Sequence, residues 1–216
     1  MVLPSHIELI NLVHGEDVRN PSRSAISIAA ITTNYALAGK KQTVLNKNWK
    51  KPSEGFLMIN VDASYNEAKG AGSTGAVIRD AAGGFIAAAH NYIPHVVDAP
   101  MAEAFALRDG LLLAQQISCT RMEIQAHCLE VVTTMNEGGF SATMAAAIYE
   151  ECCQYWEEFA AISISHCNRE CNSVSHELAR LALVEKSSFV WIDDPPITCI
   201  FAHCIVTIQA YKHTRA

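Results

Sequence analysis

The sequence predicts an α/β protein with a mixed sheet of five β-strands and helices on its faces. Three observations predict this class. Residues 56–64 alternate apolar and polar side chains, which is the period of a strand with two different faces. Two more strand-like segments follow, joined by turns that contain glycine. From residue 98 onward, helix-like and strand-like segments alternate, which indicates β-α units packed on a sheet.

The first three predicted strands form a meander. The first covers residues 56–64, and residues 66–75, which include three glycines, are interpreted as a turn. The second strand covers residues 76–79 and the third covers residues 85–91. Between them, Asp80 to Gly84 predicts a hairpin turn, because its glycines tolerate positive φ.

Helices and strands alternate in the remainder of the predicted domain. Asp98 and Pro100 are typical of a helix start, and Ser141 and Asn172 are suited to cap later helices. The predicted elements are a helix at 98–117, a strand at 121–127, helices at 128–137 and 141–159, a strand at 161–166 and a helix at 172–186. The complete order is β-β-β-α-β-α-α-β-α.

Two segments flank this predicted domain of residues 52–190. Residues 1–51 form an N-terminal extension with one predicted helix at 25–37, and residues 191–216 form a C-terminal tail without a clear pattern. The extension ends in a basic linker that could contact phosphates or could simply be solvated. Its lysines are Lys40, Lys41, Lys47, Lys50 and Lys51.

The composition of the chain argues against several classes of protein, namely strong nonspecific nucleic-acid binders, membrane-spanning proteins and secreted proteins. Half of the 216 residues are hydrophobic, and the net charge of −6 argues against a strong nonspecific nucleic-acid binder. No apolar run reaches the length of a transmembrane helix, and the N-terminus does not resemble a signal peptide. We therefore expect the eight cysteines to be reduced thiols in an intracellular protein, nuclear or cytoplasmic.

The first strand contains a carboxylate, Asp62, in a hydrophobic surrounding. A carboxylate inside a strand is costly to bury unless a metal ion or a cationic group binds it. The alternative is an aspartate at the end of a strand, facing water. Asp62 is thus the first candidate functional residue.

Four motifs, at their spacings, resemble the ribonuclease H family, specifically its plant reverse-transcriptase-like branch, which is derived from retroelements. The resemblance covers residues 52–190 and implies the ribonuclease H-like fold. The motifs are Ile-Asn-Val-Asp-Ala-Ser at 59–64, Gly-Ala-Val-Ile-Arg-Asp-Ala-Ala-Gly-Gly at 75–84, Ala-Glu-Ala-Phe-Ala-Leu-Arg-Asp-Gly-Leu at 102–111, and Arg-Glu-Cys-Asn-Ser-Val-Ser-His-Glu-Leu-Ala-Arg at 169–180.

The resemblance implies hydrolysis of the RNA strand of an RNA–DNA hybrid. Two Mg²⁺ ions ~4 Å apart would activate a water and stabilise the leaving oxygen, held by carboxylates from several elements. Asp62 matches the first carboxylate and Glu103 the second. Glu103 shares a helical face with Leu107 and Gly110, and Gly110 would let that face approach the sheet closely.

Two positions depart from the family pattern. His127 stands where the family typically has a metal-bridging aspartate, and His176 stands where classical members have the fourth carboxylate. The site therefore has two carboxylates and two imidazoles, and imidazole suits Zn²⁺, Mn²⁺ or Fe²⁺ better than Mg²⁺. We expect weak or lost binding of Mg²⁺ or Mn²⁺ at Asp62, Glu103 and His127.

Three more residues acquire roles through the resemblance. His166 resembles the family's mobile histidine near the leaving group, although it could equally be a packed histidine at a strand end. Ser64 and Asn172 match positions near the nucleic acid. A zinc cluster of His166, Cys167, Cys171 and His176 is a competing interpretation with acceptable spacings, but it has no visible second half unless His203 and Cys204 supply it.

The resemblance implies an RNA–DNA hybrid ribonuclease with reduced activity. The rival class is a nucleic-acid-binding or interaction module that keeps the fold and has lost its metal ions. A retroelement remnant is the third possibility. His127 is the residue that separates an active from an inactive site.

Overall fold

A computed structural model describes residues 50–139 and 143–196 of the chain. The strands are β1 (Leu57–Asn66), β2 (Ala71–Arg79), β3 (Phe85–Ile93), β4 (Arg121–Ala126), β5 (Ala161–His166) and β6 (Phe189–Ile192). The helices are α1 (Ala99–Gln116), α2 (Leu129–Glu137), α3 (Ala146–Trp156) and α4 (Ser173–Glu185). None of these helices is long and apolar enough to cross a bilayer.

Several predictions fall outside the described residues. These are the helix at 25–37, the linker as far as residue 49, the cap at Ser141 and the tail from residue 197. Lys50 and Lys51, at the end of the linker, are described and exposed.

The strands form one mixed sheet in the order β5-β4-β1-β2-β3-β6. The β1–β2, β2–β3 and β3–β6 pairs are antiparallel, whereas β1–β4 and β4–β5 are parallel. This arrangement confirms the predicted α/β class, in which a three-strand meander precedes β-α units. Asp62 is therefore on an interior strand, with a neighbour on each side.

The sheet has six strands, and the prediction of five was wrong. The additional strand β6 runs antiparallel to β3, from Ala87 opposite Ile192 to His90 opposite Phe189. Its sequence, Phe-Val-Trp-Ile, is β-branched and aromatic, as strands prefer. The strand extends past residue 190, where the domain was expected to end. The sequence did not predict it because four residues are too few to show a periodic pattern.

Strand β2 begins five residues earlier than predicted. The segment that was interpreted as a turn is a short 3₁₀ turn at Glu67–Lys69 followed by a full-length strand. Gly75 lies inside this strand because α4 passes directly over it. A Cβ atom on Gly75 would contact the carbonyl oxygen of Ser175 and lie 2.5 Å from the backbone nitrogen of Ala179.

Helices α1 and α4 cover opposite faces of β1. A Cβ atom on Gly110 of α1 would lie 2.6 Å from Cγ1 of Val61, which confirms that Gly110 permits a close approach to the sheet. Successive side chains of a strand point to opposite faces, so Asp62, the neighbour of Val61, points to the α4 side. The alternation along β1 thus separates an apolar core under α1 from a polar position under α4.

We predict that the Gly75→Ala substitution destabilises the domain more than Gly110→Ala does. The new methyl group at residue 75 meets helix backbone that cannot move locally, and overpacking of this kind costs about 3 kcal/mol. At residue 110 it meets side chains that can shift, and alanine gains about 1 kcal/mol of helix propensity. Urea unfolding of both variants tests this, and equal losses of free energy would contradict it.

Candidate functional site

Asp62 is buried at the junction of β1 and α4. The whole residue, backbone included, is 2% exposed to solvent, and it lies opposite Gly75 in the β1–β2 register. Because Gly75 has no side chain, α4 approaches closely enough for Nδ1 of His176 to lie 2.8 Å from Oδ2 of Asp62. The structure thus pairs a predicted carboxylate with a predicted histidine.

Arg169 extends this pair into a chain of three side chains. It begins the 3₁₀ turn Arg169–Asn172, and its guanidinium nitrogen lies 2.9 Å from Nε2 of His176. A guanidinium only donates hydrogen bonds, so Nε2 is the acceptor and the proton of the ring is on Nδ1, donated to Asp62. His176 is therefore a neutral bridge between a cation and a carboxylate.

Asn172 holds the turn against the sheet. Its Nδ2 donates to the backbone oxygen of Val61 at 2.8 Å, and its Oδ1 accepts from the Ser175 hydroxyl at 2.8 Å. Asn172 is 0% exposed. In this structure its side chain is not accessible to a nucleic acid, and its hydrogen bond to Val61 positions the 3₁₀ turn.

Glu103 lies in the first turns of α1, within electrostatic range of Asp62. Burial and, to a smaller extent, the negative charge of Asp62 together raise the pKa of Glu103 to about 8. Below that pH the carboxyl group is protonated. Glu103 therefore contributes little negative charge to the site at neutral pH.

His127 and His166 lie together at the ends of two neighbouring parallel strands. Their ring centroids are 6.2 Å apart, and the rings are tilted by 35°. His166 is exposed, as a mobile histidine would be. Nδ1 of His127 is buried and has no hydrogen-bond partner among the described residues.

The resemblance implies divalent cations, and the residues present do not fit a two-metal site. Across residues 50–139 and 143–196, no three His, Cys, Asp or Glu side chains are placed to hold one metal ion. This applies to the Asp62, Glu103 and His127 set and also to the zinc cluster considered above. Oδ2 of Asp62 is already bonded to His176, and Mg²⁺ requires several hard oxygen ligands.

Ser64 and Arg169 complete the description of the site. Ser64 is half-buried, two residues after Asp62 on the same face of β1 and opposite Ser73 of β2. Arg169 received no role from the sequence. The sequence shows only that an arginine precedes His176 by seven residues. The contact between the two side chains depends on the turn between them, which the sequence does not specify.

We predict that the Glu103→Gln substitution stabilises the metal-free domain at alkaline pH. Between pH 4.5 and about 8, folded Glu103 keeps a proton that the unfolded chain releases, so stability falls as the pH rises. Glutamine removes this dependence. In EDTA we expect the variant to exceed the native chain by about 3 kcal/mol at pH 8 and to match it near pH 4.

Urea unfolding at several pH values measures this difference. Glu67→Gln, at an exposed residue of the first 3₁₀ turn, is the control and should leave the pH profile unchanged. A Glu103→Gln variant with the native pH profile would contradict the raised pKa.

Comparison with known proteins identifies the family. Residues 60–182 match the family model described as reverse transcriptase-like. No curated protein matches the chain in sequence. Among solved structures, RNase H1 from the halophilic archaeon Halobacterium salinarum is 19% identical, with a TM-score of 0.57 over 62% of this chain and 100% of its own.

Two further structures show the same similarity. LC11-RNase H1, isolated from compost and solved in complex with an RNA/DNA hybrid, is 20% identical, with a TM-score of 0.56 over 60% of this chain and 98% of its own. The N-terminal RNase H domain of a Mycobacterium tuberculosis protein is 21% identical, with a TM-score of 0.56 over 60% of this chain and 94% of its own. At these identities the likeness shows the fold, and the family match covers more than half of the chain. The chain belongs to the reverse transcriptase-like family and has the ribonuclease H-like fold.

Proposed function

We propose that this domain binds RNA–DNA hybrids and that the two-metal hydrolysis implied by its family resemblance is severely reduced. The family membership and the hybrid bound by LC11-RNase H1 support the partner. The single observation that carries the reduced hydrolysis is the bond between Asp62 and His176, which occupies the central carboxylate. His127 adds to this, because it replaces an expected anionic ligand with an imidazole.

Exposed groups around Asp62 support contact with a phosphate backbone. His166 and Arg169 are both exposed at this end of the sheet, and Arg169 is a permanent cation. Ser64 provides a hydroxyl on the same face of β1 as Asp62. Phosphate contacts of this kind position a nucleic acid without reading its sequence.

The charge of the described residues limits the affinity. They contain nine Lys and Arg against nineteen Asp and Glu, so the basic groups near the site act within an acidic domain. The lysine-rich linker, which ends in the exposed Lys50 and Lys51, is a further source of positive charge. We expect binding by the whole chain to be moderate and sensitive to salt.

A one-metal ribonuclease is the second candidate function. Nδ1 of His127 favours it, because this nitrogen has no hydrogen-bond partner among the described residues and an imidazole nitrogen in that state could bind a metal ion. Imidazole binds Mn²⁺ more readily than Mg²⁺. Cleavage that requires Mn²⁺ and is lost in His127→Ala would identify this function.

We predict that His127→Asp raises cleavage of an RNA–DNA hybrid. The substitution replaces an imidazole with a hard, anionic ligand directly after β4, so Mg²⁺-dependent cleavage should rise on the order of tenfold above that of the native chain. Gel analysis of a labelled hybrid in Mg²⁺ and in Mn²⁺ measures this. Asp62→Asn in the His127→Asp background should abolish the gain, and rapid Mg²⁺-dependent cleavage by the native chain would contradict the proposal.

We predict that hybrid binding persists in EDTA and weakens in Arg169→Ala. Losing one phosphate contact should lower the affinity about fivefold and reduce the dependence on log salt by about one unit. Fluorescence anisotropy of the full chain at several salt concentrations tests this. Arg180→Ala is a matched control, because the Arg180 guanidinium is already paired with Glu177 at 2.8 Å. Absence of binding at low salt, or equal losses in both variants, would exclude the proposed interface.

A further inference from the structure

The buried carboxylate of Asp62 requires stabilisation from its surroundings. The side chain is 3% exposed, and an ionised carboxylate in such a position needs a compensating charge or several hydrogen-bond donors. Nδ1 of His176 lies 2.8 Å from Oδ2 of Asp62. A neutral imidazole supplies a donor but no charge, so it does not complete the compensation by itself.

The compensating charge lies at the other end of the same imidazole. The Arg169 guanidinium donates to Nε2 of His176 at 2.9 Å, and the ring donates from Nδ1 to Asp62. Hydrogen bonds that involve ionised groups are the stronger class, and bonds in a chain polarise one another. Arg169, His176 and Asp62 therefore form one hydrogen-bonded unit, with a cation at the surface and an anion inside.

The backbone around this unit is fixed by independent contacts. Asn172 ties the 3₁₀ turn of Arg169 to Val61, the residue before Asp62. The Ser175 hydroxyl bonds both the backbone oxygen and the side chain of Asn172, at the start of α4. The three charged or polar partners are therefore placed by the fold before any ligand arrives.

We propose that Arg169 and His176 are a built-in counter-ion that takes the place of a divalent cation at Asp62. The domain keeps its central carboxylate without metal, and a metal ion can use Oδ2 of Asp62 only by displacing His176. This inference concerns the folded protein alone. It does not depend on the hybrid-binding function proposed above.

Thermal unfolding of the full chain with and without Mg²⁺ or Mn²⁺ tests the counter-ion. The native chain should show the same Tm in EDTA and in millimolar metal. Arg169→Met removes the positive charge, so its Tm in EDTA should fall by about 4 °C or more, and metal should recover part of that loss. Arg180→Met removes a half-buried arginine of α4 that pairs with Glu177 instead, so metal should leave the Tm of this variant unchanged, as in the native chain.

Nitrogen NMR of the His176 ring provides a second measurement that needs only the native chain. The hydrogen-bond chain requires a neutral ring with its proton on Nδ1, in EDTA and in metal alike. Either of two results would overturn the proposal. One is a ring protonated on Nε2. The other is a metal-induced rise in native Tm that Asp62→Asn abolishes.

Discussion

The burial of Asp62 in the central strand is the constraint on which the rest of the site depends. An isolated carboxylate there would cost several kcal/mol, so the surrounding elements must supply its partner. Gly75 lets α4 approach, α4 brings His176, and the turn before α4 brings Arg169. Strand β2, helix α4 and the 3₁₀ turn before it thus all contribute to the surroundings of the Asp62 side chain.

The same geometry affects how a metal ion could bind at this end of the sheet. The sheet order and the helices place carboxylates and histidines at one end of the sheet. Whether that end binds metal depends on the charge of the ligands and on whether they are already bonded. Here one carboxylate is bonded to an imidazole, and the other has a pKa raised to about 8 by burial and by the first. Both effects lower the affinity for a hard cation.

Electrostatics also shape the proposed interaction with nucleic acid. An acidic domain repels a phosphate backbone at long range, and the local cations and the lysine-rich linker oppose that repulsion. At physiological ionic strength the repulsion is screened within about 8 Å, whereas direct contacts from Arg169 or His166 are screened much less. The balance favours short-range, salt-sensitive contacts over strong nonspecific binding.

The sequence by itself determined the α/β class and the order of the elements in the meander and the β-α units, and it selected Asp62 as a candidate functional residue. Each of these follows from local periodicity, turn residues or the cost of one buried charge. It did not reveal β6, because four residues are too few to show a periodic pattern. It also did not reveal the length of β2, because a glycine required for close packing cannot be distinguished in the sequence from a glycine required for a turn. The tertiary structure alone decided that Asn172 is buried and that Arg169 is the cation of the site. Asn172 contacts Val61, and His176, the partner of Arg169, contacts Asp62; both contacts join residues more than a hundred positions apart, and no local pattern encodes such contacts.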